Sequence, residues 1–157
     1  MSKWLFCLSF VFVIAQPACA DDKIAFPDGY RHWSHVKSLT LYEGHALANP
    51  FKGIHHIYAN PAAVKGLQNS HYPDGAVLVF DLLEYITAGE AGAEGKRILR
   101  GVMVRDKQRF ANTGGWGFEA WQGDSKTKRL TDDKGVSCYA CHTSQKQHDF
   151  VFSKWRN

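Results

Sequence analysis

The stretch "AVLVFDLLEYI", residues 76–86, decides the fold. Valine, leucine and aromatic residues follow one another with almost no polar alternation. β-Structure favours that composition, and a strand with one wet face would not carry it, so the segment is expected at the centre of a sheet. Downstream, "TAGEAGAEG" (87–95) reads as a loop with three glycines. "RILRGVMVRD" (97–106) then alternates Val102 and Val104 against Met103 and Arg105, and "GGWGFEAWQ" (114–122) adds an aromatic strand after a glycine turn. Three successive strands on short connections imply an antiparallel meander. Upstream, "KGIHHIYA" (52–59) and "SLTLYEG" (38–44) repeat with period two. Asn60 and Pro61 make a cap and first turn for a helix through "AAVKGLQN" (62–69), and "HYPDG" (71–75) closes that connection. Tyr30 to Val36 is expected to be a short helix, with Trp33 and Val36 at helical spacing. "GDSKTKRLTDDKG" (123–135) is expected as an exposed loop, after which Ser137 caps a last short helix. The predicted class is α+β: a mainly antiparallel sheet of roughly four or five strands with a few helices packed on it, in a single domain.

The first twenty residues stand apart. Lys3, the apolar run Trp4–Ile14 and the closing Ala18-Cys19-Ala20 have the layout of a secretory signal, and the run is too short to span a bilayer. A lipoprotein reading of Cys19 would want an aliphatic residue where Gln16-Pro17-Ala18 stand. Cleavage after Ala20 leaves residues 21–157 as one domain, lowers the formal charge from +4 to +3 with the loss of Lys3, and removes Cys7 and Cys19. Charges are mild and interspersed, which argues against a nucleic-acid partner. The expected product is a periplasmic protein with no membrane span and one cysteine pair, Cys138 and Cys141.

That pair sits in "SCYACH", residues 137–142. On a helix, positions 138, 141 and 142 share one face, so two thiols and an imidazole can meet one flat macrocycle. Thioether bonds from Cys138 and Cys141 to the vinyl groups of a haem would leave His142 as the axial ligand of the iron, which is why C-x-x-C-H signals c-type attachment. Zinc needs two further ligands, and there is no second C-x-x-C. A Cys138–Cys141 disulfide would close a very small ring and give the histidine no role. For the opposite side of the iron, Met103 sits mid-strand and reads as core, while His55 and His56 are strand neighbours that face opposite ways. His32 and His35 could share a helix face. The sixth position is expected to be open.

The segments "FPDGYRHWSHVKS", "GIHHIYANPAAVKG", "YPDGAVLVF", "GVMVRD" and "CYACHTSQKQHDFVFSKW" together resemble the cytochrome P460 family over nearly all of residues 21–157, and within it the cytochrome c′-beta branch. The resemblance implies a homodimer of β-rich subunits, each with one haem c held by Cys138 and Cys141 and ligated by His142. Family members with P460 chemistry carry a lysine joined to the haem ring and oxidise hydroxylamine. In the c′-beta branch that link is absent and phenylalanines cap the distal face. On this likeness Phe80 stands where the linking lysine would be, and Phe51 is the second cap; Lys65 is the nearest lysine alternative.

A phenylalanine over the iron offers neither a lone pair nor a hydrogen bond, so it favours nitric oxide and carbon monoxide over dioxygen. The expected function is therefore gas binding by a five-coordinate haem, with electron transfer to redox partners as a further role. The rivals are a hydroxylamine oxidoreductase with a lysine–haem link and a six-coordinate electron carrier. Arg97, Arg100 and Arg105 are candidates for the haem propionates, although an exposed strand face would explain them equally well.

Overall fold

The computed structural model describes residues 23–156. The expected export segment, with Cys7 and Cys19, lies outside them. Five strands form one antiparallel sheet in chain order: β1 (Ser34–Leu41), β2 (Gly53–Ala59), β3 (Val77–Ala88), β4 (Ala91–Arg105) and β5 (Trp116–Gln122). Three helices accompany it: α1 (Ala48–Phe51), α2 (Pro61–Asn69) and α3 (Val136–His142). The class is α+β and the connectivity is the expected meander, with β3 in the centre.

Alternation along the strands divides the core in two. On the front face Ala59, Leu78, Met103 and Phe118 pack beneath α2 and the C-terminal pair Phe150 and Val151. On the back face Tyr58, Val79, Val102 and Trp121 are covered by Ile24 and Tyr30. Met103 is front-core packing, 8% exposed. The α2 cap forms as the sequence implies. Asn60 Oδ1 accepts from Ala63 N at 2.8 Å and from Val77 N at 3.0 Å, while its amide donates to the Gly75 carbonyl at 2.9 Å. One side chain thus starts the helix and fixes the entry to β3.

Three expectations fail for physical reasons. Tyr30–His32 is a single 3₁₀ turn, and β1 begins at Ser34 where a helix was predicted. In an extended chain positions three apart face opposite ways, so Val36 packs on the front core and Trp33 on the back; the bulge between His35 and Lys37 then brings Lys37 to the front as well. The glycine-containing 87–95 segment is mostly strand: Ala88 pairs with Ala91, leaving Gly89 and Glu90 as a two-residue turn. That hairpin end runs out beyond the core, so its residues show no hydrophobic alternation to read. Lastly, α3 is capped by Gly135 and Asp133 in place of Ser137: the Asp133 carboxylate accepts from Gly135 N at 2.9 Å and Ser137 N at 2.8 Å. These backbone bonds hold the Asp133 carboxyl below its ordinary pKa.

Among the described residues no helix is long and apolar enough to cross a membrane.

Candidate functional site

The short helix α3 carries Cys138, Cys141 and His142 and turns Cys138 and His142 toward the front of the sheet. Cys138 is partly buried against the front core, its thiol pKa raised chiefly by burial, and Cys141 is exposed. Neither is in a disulfide. Among the described residues no three His, Cys, Asp or Glu side chains converge to hold a metal ion, so the pair lacks the extra ligands a tetrahedral zinc needs.

His142 is fixed on three sides. Its ring lies between Phe118 and Phe152, each with centroids 5.0 Å away. Its Nδ1 is 2.7 Å from the Phe150 carbonyl, which can only accept, so Nδ1 carries the proton and Nε2 keeps its lone pair. Burial lowers the imidazole pKa, partly opposed by that bond. The result is a neutral histidine with one free nitrogen, the state a metal ligand requires.

The carbonyl is held in place by unusual backbone. Asp149 (φ 53°) and Phe150 (φ 66°) are successive left-handed residues, a conformation that costs a bulky side chain free energy. Trp116 Nε1 donates to the Asp149 carbonyl at 2.9 Å, and the Asp149 carboxylate meets Arg105 at 3.2 Å and Tyr72 N at 3.2 Å. These contacts over-determine the turn that aims Phe150 at His142.

Gly135 lets α3 approach β5. A Cβ there would sit 2.8 Å from Phe118 Cβ and 2.9 Å from its carbonyl oxygen, and its φ of +82° disfavours a side chain anyway. Gly135→Ala is expected to cost ~2 kcal/mol of stability and to push α3 off the sheet. An unchanged urea midpoint would show that the approach is not tight.

On the same front face, register defines a row: Lys37, Ile57, Phe80, Gly101 and Ala120. Gly101 and Ala120 make it shallow; a Cβ at Gly101 would touch only Phe80, at 3.7 Å. Phe51, at the end of α1, meets Phe80 edge-on at 5.7 Å and 77°. These are the two rings that the family resemblance implies as caps, and they touch one another. Sequence reasoning missed His55, which stacks on Phe80 at 4.6 Å, is 6% exposed, and has no hydrogen-bond partner for Nδ1 among the described residues. It also missed Lys37, half-buried in the Phe80 row, its amine pKa lowered by burial and then by Arg156.

Residues 27–153 match the family profile of cytochrome P460. The chain belongs to the cytochrome P460 family. No curated protein matches this chain. Membership of the P460 family brings a haem cofactor, and the residues fit one: two thiols and a free imidazole nitrogen on one helix face, a shallow aromatic trough, and large apolar side chains left exposed nearby at Val136 and Phe152.

The remaining candidates fall elsewhere. Arg97 is bound to Asp81 at 2.6 Å and Arg100 lies over Phe26 on the back face; Arg105 is tied to Asp149 and to the Gly114 carbonyl at 2.7 Å. Arg97 and Arg100 thus face the back of the sheet, away from α3, and Arg105 is buried and already paired. Lys65 is an exposed α2 residue. With no helix at 30–36, His35 joins His56 through Ser38 Oγ, at 3.0 and 2.6 Å, on the back of the sheet. His55 and His56 do face opposite ways.

Burial holds His55 neutral, its pKa lowered to about 4, with Lys37 and then His56 adding to the effect. Between pH 6.5 and about 4 the unfolded chain binds a proton that the folded state refuses, so this group destabilises the fold as pH falls through that window. Replacing it by glutamine should remove ~2 kcal/mol of the stability lost between pH 7 and 4.5. Equal acid sensitivity in wild type and His55→Gln would show that the ring is solvated.

Proposed function

We propose that this chain is a periplasmic c-type cytochrome of the c′-beta branch that binds nitric oxide and carbon monoxide and exchanges electrons with redox partners. In this reading residues 1–20 are removed and 21–157 form a homodimer with one haem c per subunit. Cys138 and Cys141 hold the macrocycle through thioethers, and His142 Nε2 is the axial ligand. The haem supplies a ferrous iron able to take a diatomic ligand. Phe118 and Phe152 keep the His142 ring in plane, and the Phe150 carbonyl holds its proton on Nδ1. Phe80 and Phe51 cover the distal side, exclude water and offer no donor, which disfavours dioxygen. His55, neutral at pH 7 and stacked on Phe80, supports the cap from beside it.

The observation that carries this reading is the Nδ1 bond of His142 to Phe150, which leaves the Nε2 lone pair on the same short helix as two thiols, against the sheet face that also carries the paired rings of Phe80 and Phe51. Spectra of the oxidised and reduced protein, with and without nitric oxide, test it. An ordinary Soret band that shifts on adding gas is expected. A colourless mature protein, or a spectrum of iron already held by two side chains, would refute it.

Lys37 favours one alternative, a hydroxylamine oxidoreductase with a lysine–haem link. It lies in the Phe80 row two strands away, roughly 10 Å between backbones, with an amine whose lowered pKa makes it more nucleophilic. Joining an amine nitrogen to a ring carbon releases two electrons and two protons, which a two-electron oxidant of the peroxide class would take up during maturation, leaving water. A red-shifted ferrous band and a haem peptide containing Lys37 would establish that enzyme.

A further inference from the structure

We propose that a pocket on the back of the sheet, lined by Arg31, Arg97, Arg100 and Lys126, binds a small oxyanion anchored by the Arg100 guanidinium. The cavity has a volume of about 200 Å³ and its wall includes Phe26 and Tyr30. Its carboxylates are already engaged. Asp81 accepts from Arg97 at 2.6 Å, Tyr30 at 2.8 Å and Arg31 at 3.4 Å; Asp124 is paired with Arg97, and Asp28 with Lys126.

Arg100 is different. It is 6% exposed, its guanidinium lies 4.5 Å from the Phe26 ring centroid, and Nη2 donates to the Ser125 carbonyl at 3.0 Å. Nε is buried with no hydrogen-bond partner among the described residues, and no carboxylate among them lies within ion-pair distance. Arg105, equally buried, does have one, Asp149 at 3.2 Å. A buried cation without a counter-charge is unstable relative to a paired one. A guanidinium with free N–H groups is the side chain best shaped for a carboxylate or phosphate oxygen pair. Lys126 and Arg31 are largely exposed and place two further cations at the mouth. The volume suits a single phosphate or carboxylate group.

The test is calorimetric titration of inorganic phosphate and, separately, of acetate into the protein with its cofactor, at fixed ionic strength. Saturable binding of one anion per chain is expected for at least one of the two. Arg100→Gln should weaken it roughly 30-fold or more. Lys126→Met alters only an exposed side chain, so it keeps the test open if Arg100→Gln does not fold, and should weaken binding about threefold. No saturable binding of either anion, or an affinity that Arg100→Gln leaves unchanged, would overturn the site. So would an affinity unchanged in Lys126→Met where that is the only folded variant.

Discussion

Phe80→Ala should bind carbon monoxide roughly 30- to 150-fold faster than the wild type. The factor comes from what a gas molecule must do to reach the iron under the proposed arrangement. Phe80 is held from one side by the Phe51 ring at 5.7 Å and from the other by the His55 ring at 4.6 Å. Swinging it aside breaks two aromatic contacts and wets part of the ring, a barrier of ~2–3 kcal/mol, and each 1.36 kcal/mol is a factor of ten in rate. Alanine removes the barrier without touching Cys138, Cys141 or His142. Flash photolysis of the reduced complex gives the association rate directly. His55→Gln should lie between the two, because it loosens one of the two supports. Identical rates in wild type and Phe80→Ala would place the iron somewhere other than in front of this row.

The meander was legible because β1, β2 and β4 carry stretches of period-two alternation, β3 an almost unbroken apolar run and β5 its aromatics, with turn residues between them, so five local readings sum to one topology. What misled was spacing without register. Trp33 and Val36, three apart, fit a helix face and equally the two faces of an extended chain, and the bulge that brings Lys37 to the front is a feature of the β1–β2 pairing and not of either strand alone. The donor trio at 138, 141 and 142 was legible for the opposite reason: one helical turn contains all of it. The groups that surround the trough come from distant strands. His55 could be assigned a face from sequence, yet only the fold stacks it on Phe80, and only the β1–β2–β3 register, bulge included, brings Lys37 into the Phe80 row. Gly101 shows the same limit, since a glycine within "LRGVMV" reads as a weak strand position until its partner across the ladder is known to be Phe80.

The side chain that interrupts "AVLVFDLLEYI" should prove the most costly to neutralise. Asp81 is fully buried at the centre of the sheet, one residue from Phe80 and on the opposite face. Its carboxylate accepts two bonds from Arg97, at 2.6 and 3.2 Å, one from the Tyr30 hydroxyl at 2.8 Å, and an outer one from Arg31 at 3.4 Å. Burial, and then the bond to Asp81, push the Tyr30 hydroxyl up to about 12, while the carboxylate pushes Arg97 further above its ordinary value. Asp81→Asn keeps the shape and removes the charge, so Arg97 retains a cation in a site built for neutralisation, and the new amide brings donors toward donors. Breaking a buried pair in this way costs ~3–5 kcal/mol. Urea denaturation should therefore show a midpoint well below that of wild type. The double variant Asp81→Leu with Arg97→Met should recover most of the loss, because removing both charges removes the desolvation penalty with the attraction. Full wild-type stability in Asp81→Asn would mean that water reaches Arg97, and that the back of the central strand is not the dry charge network that steadies the cap in front of it.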